Sequence, residues 1–173
     1  MGVDLTIPRP IASTLFDHLA AGHEEQLAFM LARPTVGGFL LADIRTVGWP
    51  GLDDQTAWHL ALADDERAEV IKWAHESGGV LVEAHVHRGG FAAELSPYDL
   101  DNLADWVRHV WWRLRHRPYI ALIFSGTTFD GLVWLTSPEE PEQVSTLTIE
   151  GAPALLATGL TLGAGRRRRE ESA

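Results

Sequence analysis

Val80-Leu81-Val82-Glu83-Ala84-His85-Val86-His87 is the stretch on which the fold turns. Its alternation reads as a strand, and alternate residues of a strand face the same way. Leu81, Glu83, His85 and His87 therefore share one face, and Val82, Ala84 and Val86 line the other. Gly78-Gly79 before it and Arg88-Gly89-Gly90 after it bound the strand. Ser96-Pro97-Tyr98-Asp99 then has the make-up of a helix start: Ser as N-cap, Pro at the first helical position, and an acid near the positive end of the dipole. The helix it opens runs to about His116, with Leu100, Leu103, Val107, Val110, Trp111 and Leu114 at core spacing. Two imidazoles on one strand face are thus followed, across a glycine-bearing loop, by a helix whose first turn carries a serine and an aspartate.

Working outward, Val3 to Ile7 alternates like a short strand. Pro8 and Pro10 then open a helix with Ile11, Leu15, Phe16 and Leu19 along one face, closed by Gly22. Gln26 to Ala32 and Gly37 to Val47 read as a strand pair turning at Arg33-Pro34-Thr35. Thr56 to Ala63 reads as a strand, and Asp64 or Asp65 caps a helix that puts Ala68, Val70, Ile71, Trp73 and Ala74 inside. Pro118 to Phe124 and Leu132 to Thr136 are expected as strands around a turn from Gly126 to Gly131, and Val144 to Ile149 as the last strand. Strands and helices alternate with no internal repeat, so the expected class is α/β or α+β with a mixed sheet.

The chain has 173 residues, 46% hydrophobic and 22% charged, which suits one domain over residues 1–163 followed by an Arg-rich tail over 164–173. Cysteine is absent, which removes disulfides, thiol nucleophiles and thiolate metal sites. The formal net charge is -10, and the body is more acidic still once Arg166 to Arg169 are set aside, so a nucleic-acid partner is not expected. The Arg run itself reads as a solvated, disordered end. Neither a signal peptide nor a membrane span stands out, and a cytoplasmic location with no membrane partner is expected.

His85 and His87 are so spaced that they can share one metal ion. Helix capping accounts for Ser96 and Asp99 but is silent about the two histidines, whereas a metal site uses all of them. The other histidines, His18, His23, His59, His75, His109 and His116, are scattered, and packing or surface roles explain them.

These residues resemble the motif of the JAMM (JAB/MPN) zinc metalloproteases: an upstream Glu, then His-x-His, then Ser-x-x-Asp. The resemblance runs from about Ile11 to Leu135. It implies a JAB/MPN fold, a cytidine-deaminase-like mixed sheet flanked by helices. It also implies Zn²⁺ held by His85, His87 and Asp99, with Ser96 helping the oxyanion and a glutamate moving the proton. In the family that glutamate precedes an apolar strand, and Glu25, ahead of Gln26 to Ala32, fits in register; Thr35 stands at the equivalent place before the next strand. Glu24 then reads as a solvated charge. Glu83 shares the histidines' face and reads as a partner orienting a histidine or as an edge carboxylate, with a proton-shuttle role in place of Glu25 as the lesser alternative. Arg88 stands where the family usually has Pro, and the loop from His87 to Ser96 is one residue longer than usual. The implied activity is isopeptide or peptide hydrolysis after the Gly-Gly end of a ubiquitin-like protein, as in prokaryotic conjugation systems including antiphage defence. The competing expectation is a non-catalytic MPN-type module that recognises such a protein or scaffolds an assembly.

Overall fold

The computed structural model describes residues 2–56 and 60–164. The elements, in chain order, are β1 (Val3–Ile7), α1 (Arg9–Leu19), β2 (Leu27–Thr35), β3 (Gly38–Thr46), β4 (Leu52–Gln55), β5 (Leu60–Leu62), α2 (Asp64–Ser77), β6 (Val80–Val86), α3 (Pro97–Arg113), β7 (Tyr119–Ser125), β8 (Thr128–Trp134), β9 (Glu142–Ile149) and β10 (Leu155–Leu156). His59 and Arg166 to Arg169, and with them the expected tail, lie outside the described residues.

The sheet departs from the expected architecture. Its strands run β1-β3-β2-β6-β7-β8-β9, and β1 also pairs with β9, so seven strands close into a mixed barrel. The expected JAB/MPN arrangement, an open mixed sheet flanked by helices, is therefore incorrect for this chain. The cause is β1. Leu5 lies opposite Phe39 on one side and Leu147 on the other, both in parallel register, so the strand uses both of its hydrogen-bonding edges. Gly38 allows the approach, because a Cβ there would lie 1.9 Å from the Asp4 carbonyl oxygen. Parallel ladders between strands this far apart in sequence leave no local pattern to read.

Two cores follow from the closure. One gathers alternate residues of all seven strands, among them Leu5, Met30, Leu41, Val82, Leu122, Val133 and Leu147, together with Ala12, Leu15 and Leu19 of α1. The other joins the opposite faces of β2, β6, β7 and β8 to α2 and α3 through Phe29, Leu81, Tyr119, Val70, Val107 and Trp111. β6 is buried throughout, with β2 antiparallel on one side and β7 parallel on the other.

Three local readings shift. β2 continues through Pro34, which pairs with Phe39, and the turn falls at Val36-Gly37. Pro34 lies beyond Ala32, the last residue paired to β6, so its missing N–H breaks no bond of that ladder. Gly131 belongs to β8 opposite Leu122, leaving only Gly126 and Thr127 in the β7–β8 turn. The N-cap of α2 is Ala63, and Asp64 and Asp65 lie inside the first turn, where they meet the dipole.

Candidate metal centre

β6 delivers His85 in its ladder and His87 just past its end, where the His87 N–H still donates to the Phe124 carbonyl at 2.9 Å. The rings lie 5.0 Å apart between centroids, as alternate residues of one face should. α3 brings up the other side. Its N-cap is Ser96, whose Oγ accepts the Asp99 N–H at 3.1 Å while Asp99 Oδ2 accepts the Ser96 N–H at 2.7 Å, a reciprocal capping box. Ser96 Oγ–H also donates to Asp99 Oδ2 at 2.6 Å. The cap holds the carboxylate in one rotamer, facing the histidines.

Asp99 Oδ2 lies 3.1 Å from His87 Nε2, and Asp99 Oδ1 lies 3.5 Å from His85 Nε2. His85 is 7% exposed, and among the described residues its Nε2 is a buried nitrogen with no hydrogen-bond partner. One ligand atom from each of His85, His87 and Asp99 can be chosen so that all three lie within 4.8 Å of one another, a group that could hold a metal ion. Burial pushes the Asp99 carboxyl up, but the His85 and His87 imidazoles beside it and the Ser96 hydroxyl outweigh it and hold the group well below the usual carboxylate range. Burial pushes His85 down, yet Asp99, with Glu83 and Glu25 behind it, leaves it above the ordinary imidazole value.

Glu25 reaches the same place from the residues before β2. It is 5% exposed, and its Oε1 lies 3.8 Å from His87 Nε2. Its backbone is fixed by its N–H donating to Thr56 O at 2.7 Å and by Gln55 Nε2–H donating to Glu25 O at 2.8 Å. Glu24 faces outward and is exposed. All five residues expected at the site therefore converge.

Three contributions were not legible beforehand. Arg88 pins the segment before Glu25: its Nη2–H groups donate to Leu19 O at 2.8 Å and Ala21 O at 3.0 Å, and its Nε–H to Glu24 O at 3.0 Å. One arginine thus ties the residue after His87 to the end of α1 and the glutamate's loop. Among the described residues Glu83 makes no hydrogen bond to a histidine; its Oε2 accepts the Tyr119 hydroxyl, which accepts the Trp106 indole N–H at 2.7 Å. Burial raises the proton affinity of both Glu83 and Tyr119. A cavity of about 610 Å³ adjoins the cluster, lined by Glu25, Glu83, His85, Asp99, Arg67 and Trp106 among others. Its size is that of a site for a peptide segment or small molecule. Of the remaining histidines, His18 bonds the Leu27 carbonyl oxygen at 2.8 Å, and His109 and His116 stack on Trp106 and Trp111.

No family model and no curated protein matches the chain. Among solved structures it is similar to the solution structure of protein DSY2949 from Desulfitobacterium hafniense. That match has 14% sequence identity and a TM-score of 0.54, and covers 84% of this chain and 92% of that one. The likeness is one of fold, and that structure's description names no activity. Among the described residues, no helix is long and apolar enough to cross a membrane.

Proposed function

We propose that the protein is a zinc-dependent peptidase or isopeptidase that cleaves after the Gly-Gly end of a ubiquitin-like protein. The observation that carries the metal reading is the buried His85 Nε2, which among the described residues has no hydrogen-bond partner and sits 3.5 Å from Asp99 Oδ1. A buried polar nitrogen left so is costly unless something absent from the protein atoms completes it. Ligands bound to zinc at about 2.0–2.2 Å in a tetrahedron stand roughly 3.3–3.5 Å apart, and Asp99 approaches that spacing with a different oxygen toward each imidazole, Oδ2 at 3.1 Å from His87 Nε2 and Oδ1 at 3.5 Å from His85 Nε2. Two nitrogens and one carboxylate oxygen leave a fourth position open, the pattern of a catalytic rather than a structural zinc. The choice of substrate rests on the likeness of Glu25, His85, His87, Ser96 and Asp99 to the JAMM motif, not on the fold.

Zinc held by His85, His87 and Asp99 supplies Lewis acidity and a nucleophile at neutral pH. The protein's own groups do the rest. Glu25, buried and 3.8 Å from His87 Nε2, takes the proton of the attacking water on its carboxylate and returns it to the departing amine. Ser96 directs its hydroxyl proton to Asp99 in this structure. Turning that proton toward the substrate oxyanion leaves the cap intact, because the cap uses the oxygen's lone pair. Arg88 holds the loop that places Glu25, and the adjoining cavity gives the substrate a partly water-excluded berth.

The test is hydrolysis of a Gly-Gly-linked fusion by zinc-loaded protein. Wild type should cleave it. Glu25→Gln should bind zinc without cleaving the fusion, and Asp99→Ala, while remaining folded, should neither bind zinc nor cleave. Equal cleavage by all three rejects the assignment, and zinc binding without cleavage by wild type favours a binding module.

A further inference from the structure

The loop from Arg88 to Leu95 joins the two halves of the centre, since His87 precedes it and Ser96 and Asp99 follow it. Gly89 and Gly90 both have positive φ, 122° and 73°, so this stretch has much conformational freedom to lose when fixed. Besides the bonds made by the Arg88 side chain, four hydrogen bonds among the described residues hold it from outside. Ser125 Oγ–H donates to Phe91 O at 2.6 Å, the Ala93 N–H to Thr128 Oγ1 at 2.9 Å, Thr158 Oγ1–H to Ala93 O at 2.6 Å, and the Leu95 N–H to Thr161 Oγ1 at 3.0 Å. Two of the four come from the C-terminal segment after β10.

That segment is itself anchored on a carboxylate far from the metal cluster in sequence. Asp130, in β8, is fully buried, and among the described residues no cation pairs with it. Its Oδ2 accepts the Thr161 N–H at 2.9 Å, and its Oδ1 accepts the Gly159 N–H at 3.2 Å and Gln143 Nε2–H at 2.8 Å. Burying a carboxylate without a counter-charge is expensive, and three bonds from neutral donors offset that cost. They fix the turn at 159–161 so that Thr161, 2% exposed, presents its hydroxyl oxygen to the last residue before the α3 cap.

We infer that Asp130 and Thr161 are positioning residues for the metal centre: through Leu95 they set where Asp99 stands relative to His85 and His87. The inference rests on the reading of His85, His87 and Asp99 as metal ligands. Groups hydrogen-bonded directly to a metal ligand change metal affinity by about 10–100-fold when removed, and Thr161 and Asp130, acting one step further back through Leu95, should reach the lower end of that range.

The experiment uses the full chain and Zn²⁺ as the probe, with affinity measured by calorimetric titration against a competing chelator and Co²⁺ absorption reporting ligand geometry. Thermal melts of the metal-free proteins run alongside. Thr161→Val should bind zinc about tenfold more weakly and alter the Co²⁺ spectrum while keeping a cooperative melt. Thr161→Ser, which restores the acceptor, should return to within about twofold of wild type, and Asp130→Asn should resemble Thr161→Val. Should Asp130→Asn fail to fold, the two Thr161 variants decide. Wild-type zinc affinity in Thr161→Val, or equal weakening in Thr161→Ser, overturns the inference and leaves the metal centre standing. Absence of zinc binding by wild type overturns both.

Discussion

Asp99→Asn separates the two roles that converge on one carboxylate, as helix cap and as metal ligand. The asparagine keeps the size of the side chain and an oxygen that can accept the Ser96 N–H, now bonded at 2.7 Å, but it is a poor zinc ligand. Zinc sites with four protein ligands bind with about 10–16 kcal/mol, roughly 3–4 kcal/mol per ligand, so losing one weakens binding by about 10²–10³-fold. Zinc at one hundred times the wild-type dissociation constant adds about 2.7 kcal/mol to stability. In a chain of 173 residues that raises Tm by about 5–10 °C. At the same zinc concentration the variant is at or below half saturation and gains less than about 0.5 kcal/mol, or 1–2 °C. Ser96→Ala is the counterpart: it loses the cap, costing about 1 kcal/mol, yet keeps all three ligands and so should keep the full zinc-dependent rise. Scanning calorimetry with Zn²⁺ and with EDTA reads both. A wild-type rise in Asp99→Asn would refute the three-ligand site. Loss of the rise in Ser96→Ala as complete as in Asp99→Asn would show that the helix start, not the ligand, governs binding.

Other expectations follow from the same geometry. The metal-free protein should be most stable on the acidic side, about pH 4–6. Asp99, held low, contributes above its unfolded value and loses that contribution as acid protonates it; His85, held high, contributes below about 6.5 and loses it as pH rises; burial-raised Glu83 also disfavours the fold as pH climbs. Melts in EDTA between pH 3.5 and 8 check this, and stability climbing steadily to pH 8 contradicts it. Zinc affinity should tighten with rising pH, because His85 must give up its proton to bind; titrations at pH 6 and 8 give the sign. Tyr119→Phe leaves the buried Glu83 carboxyl and the Trp106 indole without their shared partner and should cost about 2–4 kcal/mol in urea unfolding. Leu5→Ala, on the strand that closes the barrel and fully buried, should cost about 2–5 kcal/mol by the same assay.

The site was more legible than the fold, for a physical reason. Strand alternation places His85 and His87 on one face whatever surrounds them, and the Ser96 to Asp99 pattern caps a helix by interactions spanning three residues. Glu25 could be placed only by its likeness to the family motif, ahead of an apolar strand; it reaches the cluster because β2 and β6 are neighbours in the fold, Leu27 standing opposite His85. Arg88 was visible only as an unusual residue; that it grips Leu19, Ala21 and Glu24 depends on α1 ending beside β6. Gly131 looked like part of a turn, yet it lies within β8.

Local chain geometry, written in neighbouring residues, was enough to determine the strand that carries two imidazoles and the capped helix that carries serine and aspartate. Whether the sheet stays open or closes was decided by β1 accepting β3 and β9 at once, and whether a loop is held was decided by Asp130 and Thr161 meeting Leu95. Those contacts join residues up to about 140 positions apart, and nothing in either partner's immediate neighbours marks the other, so only the folded chain reveals them.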